Sequence, residues 1–306
     1  WARGMCLVCG AATVAVVGGA PMMKMPDGRQ YPAGCVHWLE EGERVESIPG
    51  GEGDVIVRKN GGRMELPRCT STAPVDEGEG RLGYYSSWIV DAVAAPGPIG
   101  SMVSNWTVPM EPASRGPVPG MSSAYIFNGL EDGAGKRGAS TMILQPVLSY
   151  GKSGCVLDPL AGWRFTSFHV TGAGRAYCGP SLRVRRGDSL QGRMELVAQD
   201  TWRIVADAGP RGASMHTAVL PNITVDSAYL ALEGMVVYSC AALPGEGVAF
   251  TGNALAAPGG RPLQPCWHGE VRHPECRPRT QIHAGGDVEM AWDVSDSAAA
   301  SESFVV

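Results

Sequence analysis

Leu182 to Pro210 reads LRVRRGDSLQGRMELVAQDTWRIVADAGP, and its period decides the fold class. Leu182 and Val184 alternate with Arg183 and Arg185 before Gly187-Asp188 turns the chain. Leu190, Met194 and Leu196 then continue one face, and Trp202, Ile204 and Ala206 alternate again ahead of Gly209-Pro210. A period of two marks a half-buried strand, because successive side chains point to opposite sides of the pleat. No window of a dozen residues carries the 3.6-residue period of an amphipathic helix. Short segments of this kind recur between Gly and Pro from about 83 to 292, which predicts an all-β, antiparallel sandwich or barrel rather than an α/β fold.

The chain has 306 residues, 25 basic and 30 acidic, for a formal net charge of −5. Gly (42) and Pro (23) make up about one residue in five, well above the usual share. Only 18% of residues are charged while 44% are hydrophobic, enough to bury a sizeable core. These proportions exclude a disordered chain, a helical bundle and a coiled coil. No Lys/Arg-rich stripe offers an electrostatic footprint, so no nucleic-acid partner is expected. The longest apolar run, Ala11 to Met23, is short and broken by Gly18, Gly19 and Pro21, so no membrane span is expected either.

Three parts can be marked off. Residues 1–82 read as an accessory N-terminal segment, a prosegment or an assembly arm. It contains one predicted hairpin: Asp54 to Arg58, the turn Lys59-Asn60-Gly61-Gly62, then Arg63 to Leu66. Cys35 and Cys69 bracket that hairpin, which suggests a local disulfide. Residues 83–292 form the predicted sandwich, and 293–306 a flexible tail, small and polar from Ser295 to Glu302.

Nine scattered cysteines, at 6, 9, 35, 69, 155, 178, 240, 266 and 276, suit disulfides in a loop-rich secreted protein. The sequons at Asn105-Trp106-Thr107 and Asn222-Ile223-Thr224 point the same way, making Asn105 and Asn222 candidate glycosylation sites of an extracellular glycoprotein. The odd count leaves one thiol free or paired between chains. The chain starts at Trp1, so an upstream piece such as a signal peptide is expected. Cys6-Leu7-Val8-Cys9 lacks the βαβ context of a redox motif. Cys266, His268, His273 and Cys276 fit no standard zinc spacing. No metal and no cofactor is expected.

There is no G-x-S-x-G and no H-E-x-x-H, and the six histidines form no recognisable motif. Gly133-Ala134-Gly135-Lys136 and Thr171-Gly172-Ala173-Gly174 lack the strand–loop–helix setting of a phosphate cradle. Two strands are more informative. In Thr141 to Leu148, Gln145 shares a face with Ile143 and Val147, while Met142, Leu144 and Leu148 take the other. An amide in such a run must find a partner or face a solvated groove. Pro146 beside it predicts an edge strand or a bulge. In Thr224 to Gly234, Leu230 and Leu232 point one way, and Ser227, Tyr229, Ala231 and Glu233 the other. That second face is small and polar, so Glu233 is expected to face a cleft or solvent. Trp106 and Trp163 read first as core aromatics, His169 as a packed histidine, and Glu131-Asp132 as a solvated turn pair.

Several of these segments resemble the glutamic peptidases, the eqolisins, and their secreted bacterial and fungal relatives. The resemblance rests on W-T-V-P (Trp106 to Pro109), F-N-G-L-E-D (Phe127 to Asp132), I-L-Q (Ile143 to Gln145) and the Trp-bearing Gly162 to Phe165. A G-D-x-L turn (Gly187 to Leu190) and a late Leu-Glu complete it, over residues 100 to 255. It implies a two-sheet antiparallel sandwich of the concanavalin type and a secreted acid endopeptidase that needs no metal. Glu233 would act as general base on the attacking water and then return the proton to the leaving amine. Gln145 would donate to the developing oxyanion, worth roughly 3 kcal/mol in comparable sites. Trp163 and Tyr229 would wall the substrate groove. Two registers stay open. Laying Ala228 on the Ala of the family's A-E-W-I-V-E segment puts Tyr229 at the catalytic position and Glu233 on the later acid. Reading Leu232 to Cys240 as L-E-x-x-x-V-x-S-C keeps Glu233 as the catalytic Glu.

Three function classes follow. The first is an acid endopeptidase with a polypeptide substrate. The second is a catalytically silent sandwich binding carbohydrate or protein. The third is a self-associating subunit of an extracellular filament or surface assembly.

Overall fold

Alternation becomes strand wherever the chain can bury one side of it. The computed structural model describes residues 22–27, 29–69, 73–74, 85–114, 122–133, 142–151, 155–156 and 162–295. Cys6, Cys9 and the tail from 296 onward lie outside the described residues. Within them the chain is an all-β sandwich of two large sheets, with a three-stranded sheet (Met22–Lys24, Arg29–Pro32, Ala73–Pro74) beside them.

The first large sheet has nine strands. In order they are His268–Val271, Tyr85–Ala94, Ser227–Val237, Ser123–Glu131, Ile143–Tyr150, Arg164–Thr171, Arg175–Cys178 and Val36–Trp38, with Leu182–Arg183 paired on Arg164–Thr171. The second has eleven, and its centre is Val248–Ala256, Ser101–Thr107, Ser189–Ala198, Thr201–Asp207 and Ala213–Val219. Arg44–Ser47 and the predicted hairpin, seen as Gly53–Val57 and Arg63–Pro67, lengthen this sheet at one edge. Neighbouring strands run antiparallel with two exceptions among the described residues. Val36–Trp38 runs parallel to Arg175–Cys178, and Arg44–Ser47 parallel to Ala213–Val219. The chain thus steps from one sheet to the other between Trp38 and Arg44, covering two edges that would otherwise present unpaired backbone.

The main core lies between the sheets. Ile126, Leu144, Leu148, Leu230, Leu232 and Phe165 from one sheet meet Met194, Trp202, Ile204 and Phe250 from the other. The Trp106 ring packs edge-on against Phe165 at 5.4 Å and tilted against Phe250 at 5.3 Å. Each such side chain contributes roughly 1.5–3 kcal/mol by leaving water. On the outer side of the eleven-stranded sheet, Ser101–Thr107 and Ala213–Val219 alternate buried with accessible residues. The nine-stranded sheet differs. Ser227–Val237 is buried at all eleven positions and Ile143–Tyr150 at all eight, because its outer face carries a second apolar cluster. Met25, Tyr31 and Cys35 from the N-terminal residues join Tyr125, Phe127, Val147, Phe168 and Tyr229 there, forming a roof. Disulfides join Cys35 to Cys69, Cys155 to Cys178 and Cys240 to Cys276, and Cys266 is unbonded and exposed.

Pro146 sits in an interior strand, not at an edge. The ladder to Ser123–Glu131 lapses between the pairs Phe127–Val147 and Leu130–Leu144, so the missing N–H breaks no pairing there.

A buried polar network ties the two sheets together at the end where the N-terminal strands join. Asp54 accepts hydrogen bonds from Ser47 (2.8 Å), Thr171 (2.7 Å) and Tyr177 (2.8 Å), which compensates the burial of its carboxyl group. Ser167 Oγ lies 2.8 Å from His216 Nδ1, and His216 Nε2 lies 2.7 Å from His169 Nδ1. The His169 ring stacks on Tyr177 at 4.8 Å.

Burial holds His216 down at about 3, and burial together with His216 holds His169 well below its ordinary value. In the unfolded chain both histidines take a proton near pH 6.5, so below that pH the unfolded state binds more protons and stability falls with pH. We expect the denaturant midpoint to decline from pH 6.5 to 4.5, by up to about 1.4 kcal/mol per pH unit for each histidine. His216→Gln should flatten the slope. A midpoint with the same pH dependence in both proteins would show that the histidines do not titrate on unfolding.

Candidate active site

The roofed face of the nine-stranded sheet collects the polar side chains on which chemistry could rest. Its geometry follows from register, because directly opposed residues share a face. The ladder of Ser123–Glu131 with Ile143–Tyr150 keeps one register on both sides of its gap, so Gln145 stands opposite Gly129. Gly129 pairs with Tyr229, and Tyr229 with Val93. Gln145 therefore stands level with Tyr229, with a residue lacking a side chain between them. A Cβ on Gly129 would overlap the Tyr229 ring, so glycine is required for that ring to lie across the strand. Trp88 packs on Tyr229 at 4.7 Å and on Phe127 at 5.5 Å.

Gln145 is fully buried, and among the described residues neither its Oε1 nor its Nε2 has a hydrogen-bond partner. Leaving such an amide unpaired costs about 1–3 kcal/mol. The reading of Ile143 and Val147 as its face-mates agrees with the outer cluster, and Met142, Leu144 and Leu148 do point into the main core.

Glu233 lies on the same face, four residues along from Tyr229, opposite Tyr125 on one side and Trp88 on the other. It is fully buried, not turned to a cleft or solvent, because the roof converts that face into interior. Register sets its Cα about 16 Å from that of Gln145, from roughly 4.8 Å per strand and 3.3 Å per residue. The sheet thus puts the two on one face without bringing them together. Trp163 takes no part in that face. It belongs to the inter-sheet core and packs on Tyr150 at 5.2 Å. Asn222 is exposed, whereas the Asn105 amide donates to the Thr251 carbonyl and accepts from Gln191.

One carboxyl on this face escaped sequence reasoning. Glu131 pairs with Ile143 and Ser227, which sets it diagonal to both Gln145 and Tyr229. Burial raises it to about 7, against the hydrogen bond from Tyr229 and the charge of Arg29. It is half-buried, and no solvated turn residue. The signal was present in Phe127-Asn128-Gly129-Leu130-Glu131, whose alternation carries the outer face two residues past the glycine. A cavity of about 40 Å³ borders Glu131, Trp88, Ser227, Tyr229, Glu270 and Arg272. The Arg272 guanidinium is paired with Glu270 and with the buried Asp91.

Among the described residues no group of three or more His, Cys, Asp or Glu is placed to hold a metal ion. Cys276, one member of the Cys266–Cys276 set, is taken by its disulfide with Cys240.

No family model matches the chain, and no curated protein matches it. Its structure is similar to that of scytalido-glutamic peptidase with a transition-state analogue inhibitor, at 13% identity and TM-score 0.48, over 68% of this chain and 98% of that one. It is also similar to SCP-B, a member of the eqolisin family of peptidases in complex with the tripeptide Ala-Ile-His, at 12% identity and TM-score 0.45, over the same shares.

An amide kept unpaired inside a protein is a sacrifice of stability, so removing it should be favourable. We expect Gln145→Met to raise the unfolding free energy by about 1 kcal/mol, read from denaturant midpoints at pH 7. A loss of stability would mean that the amide is satisfied in solution.

Proposed function

We propose that the chain is a secreted endopeptidase whose substrate groove is the outer face of the nine-stranded sheet. The reading is carried by one observation, the buried and unpartnered amide of Gln145. Its Nε2 would donate to the oxygen that becomes negative when water attacks a peptide carbonyl, and a glutamate of the same face would serve as the base. Tyr229 would wall the groove. The sequence nominates Glu233 for the carboxyl; Glu131 lies on the same face, and Glu270 joins it from the edge strand, paired with Arg272. The loss of stability expected below pH 6.5 favours a working range nearer neutrality than a strongly acid one.

In this reading the N-terminal residues act as a prosegment, because Met25 and Tyr31 lie in the cluster that closes the face. Three disulfides accord with an extracellular site, and the exposed Asn222 would carry the glycan. The closed roof also favours a second reading, a silent sandwich that binds protein or carbohydrate without cleaving it.

The test is to place a specific protease site at Ala33–Gly34, cut the folded chain there and assay a denatured polypeptide between pH 4 and 8. Hydrolysis should appear only after cutting. Gln145→Ala should lower it about 10²- to 10³-fold, as loss of one oxyanion donor does elsewhere. A cut chain that cleaves nothing, or one whose Gln145→Ala variant is fully active, removes the peptidase reading.

A further inference from the structure

We infer that the carboxyl working with Gln145 is Glu131, with Tyr229 as its positioning residue. The inference rests on the peptidase reading and names the base within that site. Three observations carry it.

The first is distance. Glu131 is a diagonal neighbour of Gln145 on the adjoining strand, about 7–8 Å between Cα atoms, whereas Glu233 is about twice as far away. Gly129 raises no side chain of its own between them, and the Tyr229 ring crosses the strand there instead.

The second is access. Glu233 is sealed beneath the roof between Tyr125 and Trp88. Glu131 ends its strand, keeps partial exposure and borders the cavity of about 40 Å³. That volume and its polar rim suit one water molecule.

The third is its electrostatic setting. Among the described residues the charged groups facing Glu131 can be named: Asp132 follows the end of its strand, Arg29 and Asp27 come from the roof, and Glu270 and Arg272 rim the cavity. Arg29 and Asp27 offset one another, and the Arg272 charge is shared between Glu270 and Asp91. Burial is left as the dominant influence, and it raises the carboxyl towards neutrality, where a base is most effective.

The step balances without any co-reactant. Glu131 takes one proton from water as the water oxygen bonds to the carbonyl carbon. The C=O pair moves to the oxygen held by Gln145. The pair then returns, the C–N bond breaks, and the proton on Glu131 passes to the leaving nitrogen. The products are a carboxylic acid and an amine.

The chain cut at Ala33–Gly34 provides the test, with Glu131→Gln, Glu233→Gln and Tyr229→Phe compared for kcat/KM across pH 5 to 8. Glu131→Gln should lose at least 10²-fold and Glu233→Gln less than 5-fold. The wild-type profile should rise tenfold per pH unit through a single ionisation and then level. Tyr229→Phe should shift that limb, which a merely structural role would not do. Loss of activity in Glu233→Gln with Glu131→Gln active overturns the assignment and leaves the peptidase reading standing. A wild-type chain inactive at every pH overturns both. Unfolding midpoints of the variants separate misfolding from lost chemistry.

Discussion

A sheet buried on both faces has no solvated side on which a polar group can be kept at little cost. That constraint governs the nine-stranded sheet. Its inner face packs on the second sheet, and its outer face is closed by Met25, Tyr31 and Cys35. Polar side chains directed outward, which water would satisfy in an ordinary antiparallel sheet, here depend on protein partners. Gln145 finds none, and Glu131 answers by holding its proton up to about 7.

The roof and the sandwich are joined by more than contact. Between Trp38 and Arg44 the chain passes from the edge strand of one sheet to an interior strand of the other, and the Cys35–Cys69 disulfide closes the loop that contains this crossing. The same end holds Asp54 with its three donors and the Ser167–His216–His169 chain. Groups that must stay neutral or fully bonded are thus concentrated where strands from distant parts of the sequence meet. A mature hydrolase made from this fold would therefore retain residues 36–67 even if the roof were released.

Faces were legible one strand at a time. The period of two in Leu182 to Ala206 and the split between Leu230/Leu232 and Tyr229/Glu233 are local properties. They appear unchanged in the two apolar clusters. The hairpin at Lys59–Gly62 was equally local, since its turn residues specify it. Burial was not legible in the same way. Glu233 reads as a groove residue because its face-mates are small and polar, yet it is fully buried on a face that distant segments close. Trp163 reads equally well as core or platform, and its packing on Tyr150 decides. The His169–His216 pair had no local signal, because its members come from different sheets.

Strand identity, strand face and turn positions were therefore determined by the sequence alone, since a pleat forces alternate side chains apart whatever lies beyond it. Which residues stand level with Gln145 was decided only by tertiary structure. Lateral register depends on how separate strands slide past one another, and a shift of a few residues exchanges Tyr229 for Glu233 opposite Gly129.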